Sequence, residues 1–277
     1  MQTLRVTRSL VFALATVLAG ASIALAQAQA GSKPFEPQVG QQGKDVVWVP
    51  TPQALVDKML DMAKVTPQDF VMDLGSGDGR TVITAAKRGA TALGIEYNPD
   101  MVDLSKKNAE AAGVGTKATF TKADLFETDL SKATVITMFL LPQINLKLRP
   151  NILNLKPGTR VVSNTFTMDD WTPDETATIT EQNCTSWCTA LLWIVPAKVD
   201  GTWRLGQGEL TLTQQFQNLT GTLRNGSTNT SITGKMLGDQ ITFNAGGVEY
   251  RGKVNGTNMQ GSQGSGTAWT AARSGAR

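Results

Sequence analysis

A chain of 277 residues with 40% hydrophobic and 18% charged residues has room for one or two folded domains and the composition of a soluble globular protein. Its formal net charge of +3 includes Arg5 and Arg8 near the N-terminus, so the remainder is almost neutral and makes no electrostatic case for a nucleic-acid partner. Histidine is absent, which excludes a Ser-His-Asp triad, a Cys-His pair and a His-ligated zinc site.

In chain order, residues 1–30 read as an export signal. Arg5 and Arg8 form a basic start, and Ser9 to Ala26 is an uncharged, mostly apolar run. Small residues follow in A-x-A form, at Ala24-Leu25-Ala26 or Ala28-Gln29-Ala30. The expectation is a periplasmic or secreted protein. An uncleaved membrane anchor is the alternative, because 18 residues is borderline for spanning a bilayer. Residues 31–45 are polar and rich in Gly and Pro, and read as a linker.

From 46 to 198 helical and strand patterns alternate. Thr51 to Lys64 presents Leu55, Met59 and Leu60 on one helical face, with Thr51 as N-cap and Pro52 in the first turn. Phe70–Leu74 is a short apolar strand, Gly79–Arg88 a helix, and Ala92–Ile95 a second strand. A helix over Met101–Ala112 precedes strands at Ala118–Thr121 and Thr134–Leu140. A helix around Ile144–Leu155 leads to a strand at Gly158–Asn164. Such alternation predicts an α/β fold, a doubly wound Rossmann-like sheet covered on both faces. Two extended runs between Ala177 and Ile194 suggest an antiparallel hairpin at its edge. Between them, Cys184 and Cys188 can form a disulfide in an exported protein if a turn brings them within about 6 Å; two ordinary thiols are the alternative.

After Val199 the composition shifts, and fifteen of the 27 glycines lie beyond residue 200. Period-two alternation at Glu209–Thr213 and Gln240–Asn244 predicts strands. Residues 234–241 resemble 252–259, each copy carrying a turn pair, Gly238-Asp239 or Asn255-Gly256. Residues 199–277 are therefore expected to form a small all-β meander with a disordered C-terminal end, its two ends closed by Trp203 and Trp269. Its low apolar content implies that it packs on the preceding domain.

The chemistry concentrates in Val71-Met-Asp-Leu-Gly-Ser-Gly-Asp-Gly-Arg80, where a strand enters a glycine turn and a helix begins with unpaired N–H groups. Asp73, two residues before the first glycine, would repel a pyrophosphate but suits a ligand carrying an ammonium and a sulfonium. Glu96 closes the next strand, 21 residues after Gly75, the interval expected of a carboxylate that accepts both ribose hydroxyls. Asp124 closes the third strand, within reach of an adenine amino group. Acids at strand ends also cap helices, and Asp78 or Asp100 fits that bland role.

These motifs resemble the class I S-adenosylmethionine-dependent methyltransferases, with DLGSGDGR as first motif and GIEYNPD as second. More narrowly, the chain is similar to the small protein-lysine methyltransferases related to the mitochondrial ATP synthase lysine methyltransferase. Trp48-Val-Pro-Thr-Pro52, Asp78-Gly-Arg80, Phe139-Leu-Leu-Pro-Gln143 and Asp170-Trp-Thr-Pro-Asp174 carry that similarity, over roughly residues 46–196. The resemblance implies S-adenosyl-L-methionine as cofactor and Asp73, Gly75, Gly77, Glu96 and Asp124 as its contacts, with Ser76, Gly79, Tyr97 and Leu125 beside them. It implies an acceptor channel near Val49, Pro50, Pro142 and Trp171, with Trp48 and Trp171 as candidate contacts of a methylated cation. No residue stands out as a general base, and neither metal nor nucleic acid is expected; Leu140-Leu-Pro-Gln143 stands where amino-group DNA methyltransferases carry Asn/Asp-Pro-Pro-Tyr. The expected acceptor is a protein lysine or a small molecule, with membrane contact only through an uncleaved N-terminal segment. Two departures stand out, the export signal and the extra β domain. They leave a competing expectation, an exported binding or structural protein that keeps the fold as a scaffold.

Overall fold

Short apolar runs alternate with amphipathic helices, and each run becomes a buried strand. The computed structural model describes residues 35–180 and 184–275, so the export-signal segment and residues 276–277 lie outside the described residues. From Pro37 onward the described residues form one compact unit. Among the described residues, no helix is long and apolar enough to cross a membrane.

Strands β1 (Phe70–Leu74), β2 (Thr91–Glu96), β3 (Ala118–Lys122), β4 (Val135–Met138) and β5 (Arg160–Asn164) pair in parallel in the order β3-β2-β1-β4-β5. The edge hairpin expected around the two cysteines forms from β6 (Glu175–Thr178) and β7 (Thr189–Ile194). β7 pairs antiparallel with both β5 and β6, completing the order β3-β2-β1-β4-β5-β7-β6. Helices α1 (Gln53–Met62), α2 (Arg80–Lys87) and α3 (Pro99–Ala111) cover one face, over Val71, Val135 and Val162. Helix α4 (Pro142–Ile152) covers the other, over Met72, Ile136 and Val161. Alternate residues of each strand thus enter opposite cores, as the period of two requires.

Helix starts differ in detail from expectation. Thr51 does not cap α1; its hydroxyl accepts Asn164 Nδ2 at 3.3 Å, and the helix opens after Pro52 without a side-chain cap. Asp100 does not cap α3 either. Asn98 does, accepting the Asp100 N–H at 2.9 Å, with Pro99 in the first turn.

Beyond Val199 the expected meander closes on itself. β8 (Gly201–Leu205), β9 (Gly208–Gln215), β10 (Asn218–Asn225), β11 (Thr228–Leu237), β12 (Gln240–Ala245), β13 (Val248–Asn255), β14 (Asn258–Gln263) and β15 (Thr267–Arg273) form an eight-stranded antiparallel barrel. Closure comes from β15 pairing with β8, Ala271 opposite Leu205, which leaves no open edge. The interior holds Trp203, Met236, Phe243, Tyr250, Met259 and Trp269, so both tryptophans belong to its core. Two inward glycines make room for the rings. A Cβ at Gly252 would lie 2.5 Å from Trp269 Cζ2, and one at Gly234 would lie 2.6 Å from Phe243 Cβ. The barrel docks on the sheet domain through Phe216, stacked on Trp171 with ring centres 5.9 Å apart, and through Gln217, whose Nε2 donates to Thr172 O at 2.8 Å.

Candidate functional site

The parallel strands end together, and their last side chains converge. Register sets Asp73 opposite Thr137, and the threonine hydroxyl donates to Asp73 Oδ1 at 2.6 Å. Burial pushes the Asp73 carboxyl up to about 7, against the opposing pull of the Thr137 bond and with help from the nearby charges of Asp78 and Glu96.

The glycine turn leaves β1 with both the Gly75 and Ser76 N–H groups donating to Ile95 O, at 2.9 and 3.0 Å. Gly75, Gly77 and Gly79 all have positive φ. They serve different neighbours. A Cβ at Gly77 would lie 2.5 Å from Trp48 Nε1, so the indole rests on that bare backbone. A Cβ at Gly79 would lie 2.7 Å from Phe120 Cζ and 2.9 Å from Ser105 Cβ. Gly79 therefore serves helix–strand packing and does not line the cavity, unlike Gly75, Ser76 and Gly77.

Glu96 sits at the end of β2, where Oε2 accepts the Gly77 N–H at 3.0 Å and Oε1 accepts the Asn98 N–H at 2.9 Å. Each oxygen keeps a lone pair for a further donor. Asp124 Oδ1 accepts the Phe126 N–H at 2.9 Å, and Oδ2 pairs with Lys44 Nζ at 2.5 Å. The Lys44 bond holds the Asp124 carboxyl below its ordinary value. Asp73, Gly75, Ser76, Gly77, Glu96, Tyr97, Asp124 and Leu125 thus border one cavity of about 460 Å³.

Lys44 belongs to a segment that composition read as linker. The structure makes it a strap: Gly40 N–H donates to Trp48 O at 2.8 Å, Trp48 N–H to Gln41 O at 2.9 Å, and Gln42 bridges Val47. Residues 41–51 all line the cavity, including the expected Val49 and Pro50. Arg80 ties strap to turn, pairing with Asp78 at 2.6 Å and donating to Thr51 O at 2.9 Å. That gives the Asp-Gly-Arg and Trp-Val-Pro-Thr-Pro motifs one shared role.

Two residues expected in the acceptor channel lie elsewhere. Trp171 has no exposed surface, being packed between Trp193 and Phe216. Its motif is a docking platform: Asp170 pairs with Arg149 at 2.5 Å, and Asp174 accepts the Ile194 N–H at 2.8 Å. Pro142 opens α4 on the surface and does not line the cavity. The residues there instead are Phe139, Phe166 and Trp187, with Phe139 stacked on Phe166 at 5.8 Å and edge-on to Trp187 at 5.9 Å. Trp187 stands within the Cys184–Cys188 disulfide, whose Cα atoms are 5.8 Å apart. Phe139 was visible in its motif; Phe166, Trp187 and Lys44 carried no local signal.

An adenosyl sulfonium fits these residues. The cavity has the size of small-molecule sites, its floor is bare glycine backbone, and a buried carboxylate and a half-buried one stand at adjacent strand ends. Residues 73–175 match the family described as the ANTKMT methyltransferase domain. The chain is 45% identical over 141 residues to a protein-lysine N-methyltransferase of Saccharolobus islandicus (strain REY15A), covering 50% of this chain and 88% of that protein. It is 37% identical over 130 residues to the ATP synthase C-subunit lysine N-methyltransferase of Mus musculus, 47% of this chain and 52% of that one, and so spans about half its length. A solved structure from Salinibacter ruber, described as an RNA methyltransferase in complex with S-adenosyl-L-homocysteine, aligns with 46% identity and a TM-score of 0.51, over 55% of this chain and 96% of that chain. On the identity it shares with the Saccharolobus protein, across most of that protein's length, the chain belongs to the S-adenosylmethionine-dependent methyltransferases of the protein-lysine N-methyltransferase family.

Proposed function

We infer that this chain methylates the side-chain amine of a protein lysine. The observation that carries this choice of acceptor is the charge around the cavity: five acids line it against two bases, Lys44 and Arg80, and both bases are held in ion pairs by Asp124 and Asp78. Such a lining attracts an ammonium group and repels a phosphate backbone, which favours lysine over the RNA named for the Salinibacter relative.

When bound, S-adenosylmethionine supplies a methyl group on a sulfonium, ready for in-line displacement by an amine. Asp73, at the cavity wall, would hold the donor's ammonium. Glu96, fixed by two backbone N–H groups, presents its free lone pairs to a hydroxyl pair. The strap and Trp48 cover the glycine turn and exclude water. Alignment of this kind is worth several kcal/mol, roughly 7–11 at most. The acceptor amine attacks in its neutral form, after releasing its proton to solvent.

Action outside the cytoplasm is part of the proposal. The Cys184–Cys188 disulfide supports it, since such bonds persist in oxidising compartments.

Calorimetry with S-adenosylhomocysteine tests donor binding, and Glu96→Ala is expected to weaken it by about 10- to 100-fold, the worth of hydrogen bonds to a charged group. Labelled methyl groups should then pass to a lysine-rich protein and not to the same protein acetylated beforehand. Label on added RNA instead would overturn the lysine assignment. No donor binding by the folded wild-type chain would favour the scaffold reading.

A further inference from the structure

A tryptophan placed at the surface on a strained loop calls for a reason. Trp187 is 44% exposed, although large aromatic side chains are usually well covered. Its φ of 56° lies in the left-handed region, which is strained for a non-glycine residue and persists only where its surroundings impose it. Here the surroundings do. Cys-Thr-Ser-Trp-Cys is closed into a ring by the Cys184–Cys188 bond, directly before β7 enters the sheet. The indole is thereby presented to Phe139, which follows β4, and through it to Phe166, which follows β5. All three rings border the cavity that holds Asp73 and Glu96. A wall of aromatic faces beside a lining rich in acids matches one chemistry, a cation on an aliphatic stem.

We propose that Trp187 is an acceptor-binding residue. With Phe139 and Phe166 it forms the wall along which the acceptor's alkylammonium side chain lies, and the Cys184–Cys188 disulfide holds it in place. This rests on the lysine reading above and goes beyond it, because it assigns the contact to a residue outside the motifs shared with the family. Trp171, the tryptophan that those motifs favoured, is sealed inside the core. The wall should prefer methylated ammonium, whose charge is spread and weakly hydrated, so the product cation remains well bound and repeated methylation of one amine is favoured.

The test uses the full chain loaded with S-adenosylhomocysteine, and butyltrimethylammonium as stand-in for a trimethylated lysine side chain. Calorimetry should detect binding to the wild type. Trp187→Ala should weaken it by about fivefold or more, in the range of a single cation–π contact. Trp187→Phe should keep it within about twofold, and Cys184→Ser with Cys188→Ser should fall between. Affinity for S-adenosylhomocysteine should be the same in every variant. Three results would overturn the assignment: equal affinity in Trp187→Ala, no binding of the cation by the loaded wild type, or a nucleoside monophosphate taking the site instead. Wild-type affinity in the double cysteine variant would remove the disulfide's part in it. Failure of the wild type to bind S-adenosylhomocysteine would instead sink the donor site, and this inference with it.

Discussion

At the scale of single residues, Asp73 shows what the site costs the fold. Its carboxyl is raised from 3.8 to about 7, chiefly by burial. Between those values the folded chain keeps a proton that the unfolded chain has released. Stability from this group therefore falls as pH rises from about 4 to 7, and stays reduced above that window. The shift bounds the effect at about 4 kcal/mol. Asp73→Asn can still accept the Thr137 hydroxyl, so it should raise the thermal midpoint at pH 8 and leave it unchanged near pH 4, and it should lose donor affinity at pH 8. Donor binding needs the ionised form. In the wild type, S-adenosylhomocysteine affinity should drop about tenfold per unit below pH 7, with a proton released on binding, as titrations in buffers of different ionisation enthalpy would show. A flat affinity profile between pH 5.5 and 8 would count against Asp73 as the ammonium's partner. Asp73, Glu96 and Asp124 were legible in the sequence because strand ends in a parallel sheet are easily located and the cavity lies where they meet. Gly79 and Trp171 were misjudged because motif membership says nothing about which way a residue faces. A glycine needed by Phe120 and one needed by Trp48 look alike in a string of letters.

At the scale of elements, parallel strands and their helices were readable from apolar periodicity alone, to within a few residues at each end. The strap was not. A segment that covers a polar cavity is itself polar and rich in glycine, which is also the composition of a linker. What distinguishes it is Lys44 reaching Asp124, a partner 80 residues away that no local pattern reports. The ion pair lies partly open to solvent, so Lys44→Ala should leave stability nearly unchanged. The strap's value lies in enclosure. Its backbone hydrogen bonds are mostly internal, and it contributes a long stretch of the cavity wall. Deleting residues 37–45 should therefore leave the thermal midpoint nearly unchanged while speeding S-adenosylhomocysteine release and weakening its binding by about tenfold, or 1.4 kcal/mol of lost contacts. Stopped-flow release of the bound ligand, together with a melting curve, separates the two effects. An unaltered release rate would mean that the strap merely lies over the cavity.

At the scale of the whole molecule, the barrel's strands were legible but its closure was not, because pairing β15 with β8 is a contact between distant segments. The way it joins the sheet domain is equally non-local, and one turn carries it. Six of its hairpins have two-residue turns, and five place glycine first: Gly206, Gly226, Gly238, Gly246 and Gly256, each at φ near +60°. The sixth places Phe216 there, at φ 54°, where a side chain costs about 1–3 kcal/mol. That cost is offset by docking. The ring stacks on Trp171, Arg149 lies over it at 5.2 Å, and Gln217 beside it reaches Thr172. Phe216→Gly should therefore relax the barrel and loosen the joint at the same time. In the wild type, the shared interface should make sheet domain and barrel melt in one transition. In the variant, the barrel should unfold at an unchanged or higher temperature and the sheet domain at a lower one, with Trp171 fluorescence shifted to the red. A double-mutant cycle with Trp171→Leu should return a coupling of about 0.5–1.5 kcal/mol, the range for stacked aromatic pairs. If Phe216→Gly melted like the wild type with zero coupling, the turn would be strained for nothing, and the barrel would have to be held by its other contacts, among them Gln217 on Thr172 and the Gly238 turn, which lies so close to Gly158 that a Cβ there would come within 3.0 Å of the Gly158 Cα.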